Sequence, residues 1–163
     1  ALAACGPLRT RVGVLFFGPE EAEVMPLAAA HGVADCVTMG GRLSHEAALH
    51  SLASADILLL LQRNHPGDIG NVPAKFFEYL SVRKPILLIG CETGIVADMM
   101  RARAAGLVSN DPATIATHLR NWVATLPEGL PLLPASASEG LARDEQFARY
   151  ESWLTALPAR PTG

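Results

Sequence analysis

Short apolar runs alternate with longer amphipathic stretches along the whole chain. The apolar runs end at a glycine or a polar loop, as buried strands do, and they cover residues 11–18, 33–39, 57–61, 86–89 and 107–109. Between them lie helical patterns, which cover residues 20–31, 46–53 and 95–105 and begin again at Pro73 and Pro112. This order of strand and helix predicts a doubly wound α/β domain, a parallel sheet with helices on both faces.

Single residues predict where these helices begin and end. Ser44 is a good N-cap for the second helix, and Pro73 suits the first turn of the third, where its missing N–H costs nothing. Pro26 should divide the first helix into two pieces. Gly106 should stop the fourth helix.

Composition excludes several classes of protein. A net charge of −3 without a basic stripe disfavours nucleic-acid binding, and the longest apolar run is far too short to span a membrane. Cys5, Cys36 and Cys91 are odd in number and form no Cys-x-x-Cys pair, so neither a disulfide framework nor a metal site is indicated. We therefore expect a cytoplasmic protein. The first residue is not Met, which suggests a piece of a longer protein.

Residues 67–90 contain the candidate chemistry. A loop bearing Gly67 and Gly70 precedes the helix that begins at Pro73. The free N–H groups and the positive dipole end of that helix should point back at the glycines, where an anion can approach the backbone. This predicts a phosphate site, although the two glycines are equally explained by a need for positive φ. The apolar side of the helix is predicted to be core and carries Phe76, Phe77 and Leu80.

Four polar residues in this stretch have a structural interpretation and a functional one. Lys75 and Glu78 lie three residues apart on one side of the helix and would also suit an exposed pair worth about 0.3 kcal/mol. Asp68 and Asn71 are typical turn formers as well as candidate ligands of a bound molecule. The residues alone leave both interpretations open.

A family resemblance is carried by three segments. They are residues 41–47 (Gly-Arg-Leu-Ser-His-Glu-Ala), 55–60 (Ala-Asp-Ile-Leu-Leu-Leu) and 72–87 (Val-Pro-Ala-Lys-Phe-Phe-Glu-Tyr-Leu-Ser-Val-Arg-Lys-Pro-Ile-Leu). They closely resemble the C-terminal, donor-binding half of retaining glycosyltransferases of family 4, the group 1 glycosyl transferases. These enzymes have two Rossmann-like domains in the GT-B arrangement, and the second binds a nucleotide sugar. The resemblance covers about residues 8–126.

The resemblance implies roles for individual residues. A Glu at the position of Glu78 holds the ribose hydroxyls in the family, and the preceding loop and helix start face the diphosphate. A second Glu, eight residues earlier in the family, is here Gly70, so either Asp68 substitutes for it or backbone groups take its place. The family's phosphate-neutralising cations follow a first strand that this chain lacks, and Arg42 and Lys75 are partial substitutes.

The resemblance also implies a domain organisation. Residues 1–126 would form the Rossmann-like nucleotide-sugar-binding domain, residues 1–8 being the frayed end of a preceding helix. Residues 127–140 would be a connection, and residues 141–163 a C-terminal amphipathic helix and tail. In the family the last helix crosses back to the first domain, so we expect this one to be loosely held here.

The implied function is transfer of a sugar from a nucleotide-diphosphate sugar to a glycan or lipid-linked acceptor, as in polysaccharide biosynthesis. No cofactor or metal is implied. The expected partners are the donor and an N-terminal acceptor-binding domain, and peripheral membrane association of the full-length protein is compatible with the resemblance. Without that domain the chain should be inactive, and no catalytic residue is identified. The alternatives are a non-catalytic nucleotide-sugar-binding or assembly module, favoured by Gly70, and half of a nucleotide-sugar epimerase.

Overall fold

The computed structural model describes residues 1–157, so the end of the predicted C-terminal tail, residues 158–163, lies outside the described residues. Its five strands are β1 Val14–Phe16, β2 Val37–Met39, β3 Leu58–Leu61, β4 Ile86–Ile89 and β5 Gly106–Val108. Its α-helices are α1 Glu21–Ala30, α2 His45–Ser54, α3 Ala74–Val82, α4 Ile95–Ala102, α5 Pro112–Thr125 and α6 Arg143–Thr155. Short 3-10 helices cover Leu2–Arg11, Ala34–Cys36, Pro66–Asp68, Leu126–Glu128 and Ala135–Ser138.

The strands pair in parallel throughout and form two sheets. β1 pairs with β2, and β3, β4 and β5 form a second sheet with β4 in the centre. In the larger sheet Leu58 lies beside Ile86, which in turn lies beside Gly106. The predicted α/β class with parallel strands and flanking helices is confirmed.

Helices cover both faces of the three-stranded sheet because successive strand residues point to opposite sides. On one face, side chains of β3 and β4 pack against α3 and α4; the fully buried residues there are Leu60, Phe76, Leu80, Ile86, Leu88, Val96 and Met100. On the other face, Leu87 packs with Ile115 and Leu119 of α5 and with Cys5 of the first 3-10 helix. The apolar runs at residues 57–61 and 86–89 are the centre of this core.

Strand β1 differs from its prediction as a strand buried on both faces. Val14 and Phe16 are half-buried, and Leu15 is 53% exposed. The physical reason is its position: among the described residues β1 has a single neighbouring strand, β2, whereas β4 lies between two strands. A run of apolar residues indicates a strand but does not reveal how many neighbours it has.

The predicted N-cap of α2 is observed, and α5 has an N-cap of its own. The Ser44 hydroxyl accepts a hydrogen bond from the Ala47 N–H at 3.2 Å, and Asp111 accepts from the N–H groups of Ala113 and Thr114 at 3.3 and 2.8 Å. These bonds satisfy N–H groups that have no partner within the helix. The Thr114 hydroxyl, which donates to the Asp111 carboxylate, holds the pKa of Asp111 below its ordinary value, and the N–H groups of Thr114 and Ala113 lower it further.

Three predicted helix boundaries are wrong. Pro26 lies inside a continuous α1, since its position costs that helix a single backbone hydrogen bond. Helix α4 ends at Ala102, before Gly106, which is the first residue of β5; a Cβ there would lie 2.0 Å from the Ile86 carbonyl oxygen. Pro73 is the N-cap of α3 with an extended ψ of 139°, not a residue of the first turn.

Residues 127–140 lie against the main domain. Arg83, which ends α3 with a φ of 62°, accepts a hydrogen bond from the Leu133 N–H and donates one through Nε to the Leu133 carbonyl, both at 2.7 Å. Arg103 donates to the Ala137 carbonyl at 2.7 Å. Leu133 and Ala137 are buried in the core. This segment therefore contributes to the domain that it follows.

Helix α6 has no buried residue. Its exposed apolar side chains include Phe147, Tyr150, Trp153 and Leu154. None of the described helices is long and apolar enough to cross a membrane.

We expect the amides of α6 to exchange with solvent much faster than those of α4. Helix α4 is held by buried Val96, Ala97 and Met100, whereas an isolated helix of the length of α6 is marginal in water. Hydrogen exchange followed by mass spectrometry compares the two helices within one sample. Protection of α6 equal to that of α4 in a monomer would contradict this expectation.

Candidate functional site

The loops after β3, β4 and β5 meet at one edge of the larger sheet. In open parallel α/β sheets ligands bind beyond the carboxyl ends of the strands, which is where these loops lie. The first loop, residues 62–73, is the longest and carries most of the predicted site residues. Hydrogen bonds and close glycine contacts join it to the loop after β4, which is joined in turn to the loop after β5.

Gln62 closes the loop after β3 upon itself. Its Nε2 donates to the carbonyl oxygens of Asn71 at 2.9 Å and Asp68 at 3.3 Å. Its own backbone N–H donates to the Ile89 carbonyl at 2.9 Å, which fixes it to the end of β4. A single side chain thereby ties the beginning of the loop to both ends of the turn at residues 68–71.

Asp68 is engaged within the same loop. Its carboxylate pairs with Arg63, with Nε 3.0 Å from Oδ2 and Nη2 3.2 Å from Oδ1. The Asp68 Oδ2 atom is buried. Its contact with Arg63 Nε is an ion pair without hydrogen-bond geometry, so Oδ2 accepts no hydrogen bond among the described residues. The Asp68 side chain is 14% exposed and that of Arg63 is 85% exposed. In this arrangement Asp68 stabilises its own turn.

The loop after β4 is joined to the loop after β5 by Asn110. The Asn110 Oδ1 accepts from the Gly90 N–H at 2.9 Å, and its Nδ2 donates to the Gly90 carbonyl at 2.5 Å. Glu92 contacts the Asn110 N–H through its carboxylate. Gly90 has a φ of 146°, and a Cβ there would lie 2.2 Å from the Gln62 carbonyl oxygen. Only glycine fits this close approach of two backbones.

Gly94 is the second close approach. It is the N-cap of α4 with φ 101° and ψ −179°, and a Cβ there would lie 2.2 Å from Ile69 Cγ2 and 2.5 Å from the Ile69 carbonyl oxygen. The next residue, Ile95, donates its N–H to that carbonyl at 3.0 Å. The loop after β3 thus packs on the beginning of α4.

Helix α3 begins without a side-chain cap. Pro73 supplies its carbonyl to the Phe76 N–H at 2.9 Å, but no side chain accepts from the first turn. Lys75 is exposed and Glu78 is half-buried. None of the ion pairs among residues 1–157 includes either of them, and the Glu78 carboxylate accepts no hydrogen bond there. The interpretation as an exposed helix pair is therefore not realised.

The apolar side of α3 is mostly core, as predicted. Phe76 and Leu80 are fully buried, but Phe77 is 39% exposed, so its assignment to the core is wrong. Phe76 and Phe77 are adjacent and lie about 100° apart around the helix, and the sheet covers only one of the two directions. The Phe77 ring contacts the Phe76 ring at a centroid distance of 5.9 Å.

Tyr79 follows Glu78 in α3, and its pKa is affected by the charge of Glu78. Its hydroxyl donates to the Leu59 carbonyl at 3.3 Å. Burial raises the pKa of the Tyr79 phenol above its ordinary value, and the negative charge of Glu78 raises it further.

We expect ionisation of Tyr79 to lower the free energy of unfolding at alkaline pH. Its pKa is higher in the folded chain than in the unfolded one, so its contribution is complete below about pH 10 and is lost as pH rises through the folded value. Denaturant unfolding from about pH 9 upward should show a steeper loss in the unmodified chain than in Tyr79→Phe. Tyr150→Phe, on exposed α6, is the control. Identical pH profiles for all three proteins would contradict the prediction.

The predicted site residues fall in two places. Asp68, Gly70 and Asn71 lie on the loop after β3, which leads into α3 with Lys75 and Glu78; these five form one continuous surface segment. Arg42 follows β2 of the other sheet and pairs with Glu20 at 3.9 Å, both side chains being exposed. No hydrogen bond or ion pair among the described residues joins Arg42 to the other five.

Gly67 and Gly70 lack the positive φ that was the alternative explanation for glycine at these positions. Neither Gly67 nor Gly70 has a positive φ, so that interpretation is wrong. A Cβ added at Gly70 would meet nothing within 4 Å, so the space around it is open.

Sequence reasoning missed Gln62, Asn110 and Gly94, which fix the loop. Gln62 had a signal, since it is the first polar residue after the most apolar strand. Asn110 contacts Gly90 across 20 residues of chain, and nothing local marks that contact.

No group of three or more His, Cys, Asp or Glu residues in residues 1–157 could hold a metal ion.

The comparisons with known proteins bear on the fold. No protein-family model matches the sequence, and a search of curated proteins gives no match. Among solved structures, the chain is similar to WaaG, a glycosyltransferase involved in lipopolysaccharide biosynthesis, with 20% sequence identity and a TM-score of 0.57. The match covers 91% of this chain and 37% of that chain. The chain therefore has the fold of part of a glycosyltransferase.

Proposed function

We propose that this chain is the donor-binding domain of a retaining glycosyltransferase of family 4, which takes a sugar from a nucleotide-diphosphate sugar. The observation that carries the proposal is Glu78, a half-buried carboxylate without a partner among the described residues. It lies on the helix that follows the longest loop at the carboxyl edge of the sheet. A carboxylate that no other side chain engages keeps both oxygens available to a ligand.

The chemistry of ribose suits Glu78. A carboxylate has two oxygens that accept hydrogen bonds, and a vicinal diol offers two donors at matching separation. Lys75, three residues earlier, is exposed and can approach a phosphate. The uncapped first turn of α3 adds N–H donors at the beginning of the same helix.

The diphosphate end of the donor is assigned to the turn at residues 68–71. Gly70 leaves open space there, and Asn71 is exposed beside it. Asp68 is held by Arg63, which favours backbone groups over Asp68 as the replacement for the family's second acid. Arg42 completes the assigned set if the two sheets bring it near the donor.

The wider role follows from the same proposal. The acceptor, a glycan or a lipid-linked sugar, would be bound by an N-terminal domain, and the whole protein would act in polysaccharide biosynthesis in the cytoplasm. The match to 37% of a solved glycosyltransferase supports such a division of labour. A non-catalytic nucleotide-sugar-binding module is the second candidate, favoured by Gly70 at the position of the second acid.

A ligand-observed NMR panel tests the binding function. The chain is mixed in turn with UDP, GDP, ADP and their hexose conjugates, and saturation transfer to each is compared. We expect one base to be preferred, with the diphosphate and its sugar conjugate both bound. Absence of transfer to every nucleotide would remove the proposal.

We expect the chain by itself to transfer no sugar even where it binds the donor. In a two-domain site the acceptor and its attacking hydroxyl are positioned by the other domain, and loss of that positioning removes a large part of the rate. Incubation with the preferred nucleotide sugar and simple sugar acceptors, followed by mass spectrometry, measures transfer. Glycosylated product formed by the chain by itself would contradict this prediction.

A further inference from the structure

We infer that Gln62 is a positioning residue that aims the Val72 N–H at the donor's diphosphate, an inference that rests on the proposed function. Gln62 is the first residue after β3, and its amide bridges the loop from within. It touches none of the residues assigned to the ribose. Its role is exerted through the peptide groups that it holds.

The argument begins with the two carbonyls that Gln62 binds. Its Nε2 is 2.9 Å from the Asn71 oxygen and 3.3 Å from the Asp68 oxygen, so both carbonyls point toward the Gln62 side chain. Peptide bonds are planar and trans, and in a trans peptide the C=O and the following N–H point in opposite directions. The N–H groups of Ile69 and Val72 therefore point away from Gln62.

The Val72 N–H has no acceptor among the described residues, whereas Ile69 is the C-cap of the 3-10 helix Pro66–Asp68 and its N–H closes the last turn of that helix. The Asp68 N–H donates to His65, the Asn71 N–H to Asp68 and the Gly67 N–H to the His65 ring. The free Val72 N–H lies two residues from Gly70, around which no side chain or backbone atom would meet an added Cβ within 4 Å. An outward donor beside an open glycine suits an oxygen of a phosphate.

The anchor of Gln62 makes this arrangement rigid. Its N–H is bonded to Ile89 at 2.9 Å, and its carbonyl lies against Gly90, where a side chain would not fit. The amide therefore starts from a fixed point at the end of the sheet. Without it the turn keeps its Arg63–Asp68 pair but loses the bond that fixes the Asn71 peptide.

The test compares two ligands against matched variants. Gln62→Met has a similar length and no donor, and Gln146→Met is the control, since Gln146 lies on exposed α6. Affinity is measured by two-dimensional NMR titration for the preferred nucleoside diphosphate of UDP, GDP and ADP, and for the corresponding nucleoside without phosphates.

We expect Gln62→Met to weaken binding of the diphosphate about tenfold or more, the loss typical of misaligned hydrogen bonds to a charged group. Nucleoside binding should be nearly unchanged, and Gln146→Met should bind both ligands like the unmodified chain. Equal losses for the diphosphate and the nucleoside, or no loss for either, would overturn the inference while leaving the proposed function in place.

A second measurement tests the inference without the variant, in case Gln62→Met does not fold. In the unmodified chain the amide signal of Val72 should shift with the diphosphate and stay in place with the nucleoside. An unmoved signal under saturating diphosphate would overturn the role of Gln62. If the unmodified chain binds no nucleotide at all, the proposed function fails and this inference fails with it.

Discussion

Glu78→Ala should weaken nucleotide binding about 10-fold to 150-fold and leave the fold intact. The loss corresponds to about 1.5 to 3 kcal/mol, the usual range for hydrogen bonds to a charged group. Alanine is a good helix former, and Glu78 makes no side-chain bond among the described residues whose loss would destabilise α3. The mutation therefore separates binding from folding.

A double-mutant cycle identifies the contact. The unmodified chain and Glu78→Ala are each titrated calorimetrically with the preferred nucleotide and its 2′,3′-dideoxy form. If the carboxylate holds the ribose diol, the two changes remove the same contact, and together they should cost little more than either does. Glu151→Ala, on exposed α6, controls for loss of a negative charge. Additive losses, or a loss below about 0.5 kcal/mol on mutation, would remove the ribose-binding role.

The sheet and its helices were predictable because their signals are local. A strand such as Ile86–Ile89 is a short apolar run between turn residues, and a cap such as Asp111 precedes a proline at the first helical position. Failures occurred where the surroundings decide. Whether Leu15 is buried depends on which strands flank β1, and the tolerance of Pro26 depends on its place in the helix.

The candidate site was predictable in part. The helix-initiating proline and the glycine loop marked the segment that contains Glu78, and that segment does lie at the carboxyl edge of the sheet. The contacts that fix the loop join residues far apart in sequence. Ile69 meets Gly94, and Gly90 meets both Gln62 and Asn110. Only a known strand order brings such pairs together, so single-sequence patterns cannot reveal them.

These contacts imply that the proposed site is largely formed in the absence of any ligand. Asn110 holds Gly90, Gly90 lies against Gln62, and Gln62 holds Asn71, so one series of contacts joins three loops. A loop that is already ordered loses less conformational entropy when it binds. Disrupting the series at a point remote from the nucleotide should therefore weaken binding as well as stability.

Gly94→Ala should strongly destabilise the fold at this edge of the sheet. With φ 101° and ψ −179°, Gly94 occupies a region that is essentially restricted to glycine, and residues with side chains pay about 1 to 3 kcal/mol there. The new methyl group would also lie 2.5 Å from the Ile69 carbonyl oxygen, a backbone atom that cannot rotate away. We expect a loss of about 3 kcal/mol or more in the free energy of unfolding.

The same substitution should weaken nucleotide binding, because relief of the clash moves Ile69 away from α4 and breaks the Ile95–Ile69 hydrogen bond of 3.0 Å. Ile69 and Asp68 share a peptide group, so the turn at residues 68–71 moves with it. Gly13→Ala is the matched control, since Gly13 has no positive φ and an added Cβ there meets nothing within 4 Å. Denaturant unfolding and calorimetric titration of both variants measure the two effects. If Gly94→Ala proves as stable as Gly13→Ala, the packing of the loop on α4 is wrong; if it is destabilised but binds nucleotide normally, the turn is not part of the site.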